Sequence, residues 1–227
     1  MARKDRVPDP PRRPQAPQRR STPSTPADAE RRRRLLYLVA GSGIAAIAVV
    51  LAIVFLAGGG SGRDAQAALV QAGCTVRTFP GQTAQHTTEL LEKIKWNSSP
   101  PTNGRHYQVP AVWGAYDEPL VLSQVVHNLE HGGVYMLYGS GVDADTVTSL
   151  RRIYDDDPRG LLLAPLPSLG KEFALGAWTT VEEEPGDGTG RLARCARFDA
   201  DAVRAFLDAY RFQGPERFPP ESLQPGT

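Results

Sequence analysis

The chain is poor in the residues that carry most side-chain chemistry. Its 227 residues include two cysteines and four histidines. It has no G-x-S-x-G elbow, so the strained turn that presents a nucleophilic serine is missing. It has no phosphate-binding loop either, because the glycines at 58–62 are not followed by Lys-Ser/Thr. The arginine-rich stretch lacks interleaved aromatics, which leaves nucleic-acid binding without its usual footprint. One long stretch, residues 35–57, contains no charge at all.

That stretch divides the chain electrically. The net charge of +1 conceals a basic segment, residues 1–34, with eleven Lys/Arg against four Asp/Glu, and an acidic remainder after residue 57. As a helix, the uncharged segment would be about 34 Å long at 1.5 Å per residue. A bilayer core is about 30 Å thick, so the segment predicts one transmembrane helix. Arg31, Arg32, Arg33 and Arg34 precede it and only Arg63 follows closely. The positive-inside rule then keeps the N-terminus in the cytoplasm and exports the rest. A cleaved signal peptide competes, since Leu56-Ala57-Gly58 offers small residues, but signal cores are shorter, at about 7–15 residues. The expected location is a cell membrane, single-pass, with the bilayer as first partner. Residues 1–34, with seven prolines and little apolar surface, read as a disordered tail. Residues 58–63 read as a flexible linker.

Residues 64–227 read as one exported α+β domain. Apolar spacing predicts helices at 64–72, 88–96, around 123–131 and 143–154, and a last helix capped by Asp199 with Val203, Phe206, Leu207 and Tyr210 inward. Strands are predicted at 74–79, 134–138, 160–166 and 173–182, with a turn at 185–188. Ser123 reads as the N-cap of the short third helix, and Gly132-Gly133 as its stop. Residues 97–119 form a long loop rich in turn signals. Its His106, Tyr107, Trp113 and Tyr116 predict an ordered loop, with Trp113 and Tyr116 as a contact surface for an envelope partner. Cys74 and Cys195 both fall on the exported side, where disulfides persist, and a bridge is the preferred reading over free thiols or thiolates on a metal.

The chemistry-bearing motif is His127-Asn128-Leu129-Glu130-His131-Gly132-Gly133. Histidines at i and i+4 share one helix face and together grip one ion such as Zn²⁺ or Cu²⁺. His106 and His86 are the candidates to complete the set. Glu130 points about 100° away on an ideal helix, so it reads as a supporting partner or a base. The bland alternative makes these histidines structural, with His131 favoured by the helix dipole. H-x-x-E-H is also a peptidase signature. That reading needs a downstream carboxylate, for which Glu182, Glu183 and Glu184 are the candidates, in a hairpin end.

Five separated segments resemble the DUF3105 family. Residues 97–107, Asn-Ser-Ser-Pro-Pro-Thr-Asn-Gly-Arg-His-Tyr, are similar to its Asn-x-x-Pro-Pro-Thr-Ser-Gly-x-His-Tyr run, with Asn103 where the family has serine. Residues 114–119 resemble its Gly-x-Tyr-Asp-Glu pattern, residues 126–134 its His-x-Leu-Glu-His-Gly-Gly core, residues 81–86 its Gly-x-x-x-x-His element, and residues 206–216 its closing Gly-Pro-Glu segment. The resemblance spans about residues 74–217. It implies a bacterial protein with one N-terminal membrane helix and an exported domain of unassigned function, and it places all four histidines in motif segments. The expectation is therefore a membrane-anchored domain that binds copper or zinc through His127, His131, His106 and His86, with no catalytic residue assigned beyond Glu130 as a weak alternative. An interaction module and a metal-dependent hydrolase are the competing readings.

Overall fold

The structure, a computed structural model, describes residues 62–180 and 187–227. The expected basic tail, transmembrane helix and most of the linker lie outside the described residues, as do Glu182, Glu183 and Glu184. No helix among the described residues is long and apolar enough to cross a membrane.

The domain is α+β. Its elements run α1 (Gly62–Gln71), β1 (Thr75–Pro80), β2 (His86–Thr87), β3 (His106–Tyr107), β4 (Gly114–Ala115), α2 (Leu122–Glu130), β5 (Val134–Tyr138), α3 (Ala144–Asp156), β6 (Leu161–Pro165), β7 (Phe173–Thr179), β8 (Thr189–Cys195) and α4 (Ala200–Tyr210), with 3-10 turns at Pro167–Leu169 and Pro220–Ser222. Six strands make one mixed sheet in the order β1-β8-β7-β5-β6-β4. β1, β8, β7 and β5 pair antiparallel; β5, β6 and β4 pair parallel. β2 and β3 form a separate parallel pair.

The central strands are buried on both faces, and alternation assigns their side chains to two cores. Val134, Met136, Leu161, Leu163, Phe173, Leu175 and Ala177 meet α1, α3 and α4 through Leu69, Leu150, Ile153, Val203 and Phe206. Tyr135, Leu137, Leu162, Ala164, Ala174 and Trp178 meet α2 through Val125, Val126 and Leu129. The second face carries the histidines. Gly176 stands opposite Tyr135 in the register, and a Cβ there would lie 2.0 Å from the Tyr135 ring. The missing side chain is thus what gives the tyrosine its place.

Several sequence expectations hold. Asp143 accepts from Thr146 N and Asp199 from Ala202 N, capping α3 and α4. Cys74 and Cys195 are joined, S–S 2.03 Å. Others are corrected. Residues 88–96 form no helix: Leu90, Leu91 and Ile94 have helical spacing but no surface to bury against, and Leu91 is 80% exposed. Side-chain bonds hold this stretch irregular instead. Arg105 grips Glu92 through two N–H···O contacts of 2.9 and 3.2 Å, and Trp96 Nε1 donates to Arg105 O. Ser123 is not an N-cap. Val121 occupies that position, and Ser123 Oγ donates to Leu90 O instead. The linker ends early, because α1 already starts at Gly62. β8 is the return strand of the hairpin expected around the turn at 185–188, for which the sequence set no bounds.

The disulfide joins cysteines 121 positions apart in the sequence. Chain-entropy reasoning puts its contribution near 5 kcal/mol at most. A Cys74→Ala/Cys195→Ala chain is expected to lose about 3–5 kcal/mol of unfolding free energy in a denaturant titration, against less than about 1 kcal/mol if the bridge does not form in solution.

A histidine–carboxylate cluster as candidate metal centre

The long loop is seated by backbone and amide contacts before any histidine is placed. Thr102 and Asn103 are fully buried against β8, where a Cβ on Gly190 would come within 2.2 Å of Thr102 Oγ1 and 2.4 Å of Asn103 Nδ2. Asn103 Oδ1 accepts from Gln82 N, and its amide reaches Asn97 Oδ1 at 3.4 Å. The amide is longer than a serine hydroxyl and spans both partners. Asn97 Nδ2 in turn donates to Pro80 O. Gly104 follows with φ +101°, in the left-handed region that glycine takes without penalty.

This anchoring lines up β3 with β2. His86 and His106 are register partners, with ring centroids 4.7 Å apart. α2 lies beside β3, and His127 Nδ1 donates to Tyr107 O at 2.8 Å. A second tie fixes α2 one residue further on. Asn128, fully buried, accepts from Ala111 N at 2.9 Å and donates to Ala111 O at 2.8 Å. Trp113 then packs on the helix end, where a Cβ on Gly133 would fall 2.3 Å from the indole. Trp113 is 4% exposed and is part of the core; the loop's exposed apolar side chains are Val109 and Val112.

The end of α2 brings in a residue that sequence reasoning did not place. A helix end leaves carbonyls without partners. Here the C-terminal segment supplies them: Glu216 N donates to Glu130 O at 2.9 Å, and Phe212 N to Gly132 O at 2.6 Å. Gly132 at φ +90° turns the chain, and Gly214 carries no side chain against Glu130 O. Glu216 is thereby held beside His131, with Oε2 at 3.3 Å from Nε2. The closing Gly-Pro-Glu pattern was its one sequence signal.

All four histidine rings converge on Glu130. His106 Nε2 lies 3.0 Å, His86 Nε2 3.4 Å and His127 Nε2 4.0 Å from Glu130 Oε2. His127 and His131 present Nε2 to each other at 3.1 Å. Glu130 is therefore at the centre of the group and not at its margin, because the end of α2 turns its carboxylate toward β2 and β3. The donors fall into two sets of four, within 4.8 Å in each: His86, His106, His127 and Glu130, and His127, Glu130, His131 and Glu216. A cleft of about 560 Å³ bounded by Arg77, Trp96, Glu172 and Arg194 touches none of them.

Hydrogen bonding decides which nitrogens face inward. His106 Nδ1 donates to Gly104 O at 2.7 Å and His127 Nδ1 to Tyr107 O. A carbonyl only accepts, so both Nδ1 atoms carry hydrogen, and in the neutral form of either ring the Nε2 lone pair faces the cluster. Metal-binding histidines have this arrangement, with the remote N–H held by backbone. Burial pulls the His127 imidazole down to about 4, which keeps it neutral at pH 7. Burial also lowers His131. For Glu130, burial alone would raise the carboxyl, but the hydrogen bond and charge of His106, with smaller contributions from His127 and His86, hold it below its usual range when those rings carry the extra proton, the place a cation would otherwise take.

The domain is thus an α+β fold bearing a histidine–carboxylate cluster whose donors could hold a metal ion. The chain belongs to the DUF3105 family, described as a protein of unknown function, whose family model matches residues 87–222. The match takes in His106, His127, Glu130, His131 and Glu216 and begins one residue after His86, so the resemblance at residues 81–86 falls outside it. No curated protein and no solved structure matches the chain.

Removing the Asn128 amide isolates the positioning of this site. Asn128→Ala leaves both backbone groups of Ala111 buried without partners, at about 1–3 kcal/mol each. Chemical denaturation is expected to show a loss of at least about 2 kcal/mol. A change under about 0.5 kcal/mol would mean that the loop is held by other contacts.

Proposed function

We propose that this chain is a metal-binding protein whose cluster holds a divalent transition ion, zinc or copper, on the outer side of a bacterial membrane. One observation supports it above the rest. The Nε2 atoms of His106 and His127 face the carboxylate of Glu130 with their Nδ1 hydrogens already engaged elsewhere. Lone pairs and a carboxylate brought together in a buried place repel unless a cation lies between them. The spacings suit an ion: ligands at about 2.0–2.1 Å in neighbouring positions of one zinc stand roughly 3–3.4 Å apart. The His106–Glu130, His86–Glu130 and His127–His131 separations of 3.0, 3.4 and 3.1 Å fall there.

The donor types narrow the ion. Both cysteines are in the disulfide, and Met136 is fully buried in the opposite core. Imidazole and carboxylate suit zinc and copper(II), whereas copper(I) prefers sulfur. The outward location rests on the sequence of residues 31–57 and on the disulfide, which persists where the surroundings are oxidising.

The readings that compete weaken at particular residues. A hydrolase gains Glu216 as the carboxylate downstream of H-x-x-E-H, but its base, Glu130, is engaged by His106 and His86. An interaction surface built on Trp113 would need a side chain that is 4% exposed. Purely structural histidines would need protons where an ion otherwise sits.

Mass spectrometry of the purified full-length chain tests the reading. Stoichiometric zinc or copper is expected in the wild type, with at least a tenfold drop in His127→Ala. No stoichiometric metal in either chain would overturn it. A chelator should lower the melting temperature of the wild type and leave that of His127→Ala unchanged.

A further inference from the structure

The six donors do not make one coordination sphere. They form two overlapping sets of four, which share His127 and Glu130. We infer that the site holds two metal ions bridged by the Glu130 carboxylate, and the inference rests on the metal-binding reading above.

The two shared residues differ in what they can share. His127 has one nitrogen committed to Tyr107 O, so it offers a single lone pair and serves a single ion. Glu130 has two oxygens and four lone-pair positions, so it serves two. Distances then divide the set. His86 and His106 approach Glu130 Oε2 at 3.4 and 3.0 Å, and these three define the first ion. His127 stands farther from that oxygen, at 4.0 Å, but only 3.1 Å from His131, which is 3.3 Å from Glu216. His127, His131 and Glu216 define the second ion, with the other oxygen of Glu130 completing it. Carboxylate-bridged ions in two-metal sites sit about 3.5–4 Å apart.

Access and charge agree with a pair. Each half has one solvent-facing ligand, His86 with its side chain 48% exposed and Glu216 with 55%. Each half therefore has its own ligand open to solvent. The two ions share the Glu130 carboxylate, and the second also has that of Glu216. Positions left on each ion go to water, as in other open metal sites.

Metal stoichiometry of the full-length chain separates this inference from the reading beneath it. The chain is stripped with a chelator, loaded with Zn²⁺ alone, desalted, and its zinc per chain measured for the wild type, Glu216→Gln and His86→Asn. Two ions are expected in the wild type and one in each variant. One ion in the wild type overturns the pair and leaves the metal-binding reading standing; none overturns both. Two ions retained in both variants would place the metal elsewhere and also overturn the pair. Both substituted side chains are about half exposed, which limits their effect on folding. Titration of the wild type with Co²⁺ gives a readout without any variant. Its visible absorption is expected to saturate at two equivalents, and saturation at one overturns the inference.

Discussion

A carboxylate that is almost out of contact with water, and that faces three imidazole nitrogens, has to be neutralised where it sits. Glu130 is 6% exposed, and His106, its nearest ring, is fully buried. An isolated charge in such a place is expensive, so it is paired, protonated or bound to metal. The Nδ1–H groups of His106 and His127, donating to Gly104 O and Tyr107 O, remove the simplest escape at these two rings, in which a neutral imidazole donates from Nε2. What remains is a demand for positive charge at one point, and most of the second face of the sheet is arranged around it.

The supports come from distant parts of the chain. Gly190 on β8 lets the Pro-Pro-Thr-Asn segment settle onto the sheet, and that sets where Gly104 and His106 fall. Asn128 and Trp113 hold α2 to the loop that precedes it. The C-terminal segment closes the exposed end of α2 through Glu216 N and Phe212 N, and in doing so delivers the Glu216 carboxylate. The same backbone contacts that satisfy a helix end therefore also assemble ligands. On the other face, α1, α3 and α4 and the Cys74–Cys195 bridge stabilise a scaffold that takes no direct part in the site.

Where chemistry was local, the sequence was readable. The i, i+4 histidines, the Gly132 turn, the caps at Asp143 and Asp199 and the inward stripe of α4 are all set by neighbours within a turn or two. Where tertiary contacts override local pattern, it was not. Residues 88–96 have helical spacing, yet the Arg105 clamp on Glu92 and the Ser123 bond to Leu90 O hold them irregular. The bounds of β8 were hidden by Arg191 and Arg194, whose charges are accommodated outside the core: Arg191 donates to Thr179 Oγ1 and lies over the Tyr210 ring, and Arg194 pairs with Glu172. Glu130 looked peripheral because helix angle alone cannot show that β2 and β3 lie on the side it faces. Glu216 lies 85 residues from His131, and only the fold brings them together.

X-ray absorption at the metal edge is the most direct measurement of the central claim, that imidazole and carboxylate groups of this cluster hold a transition ion. For the zinc-loaded full-length chain, the account predicts a nitrogen/oxygen shell at about 2.0–2.1 Å with no sulfur at about 2.3 Å. It also predicts the outer-shell scattering of at least two imidazole rings, weakened in His106→Ala. A spectrum with no imidazole scattering, or one with sulfur in the first shell, would contradict it.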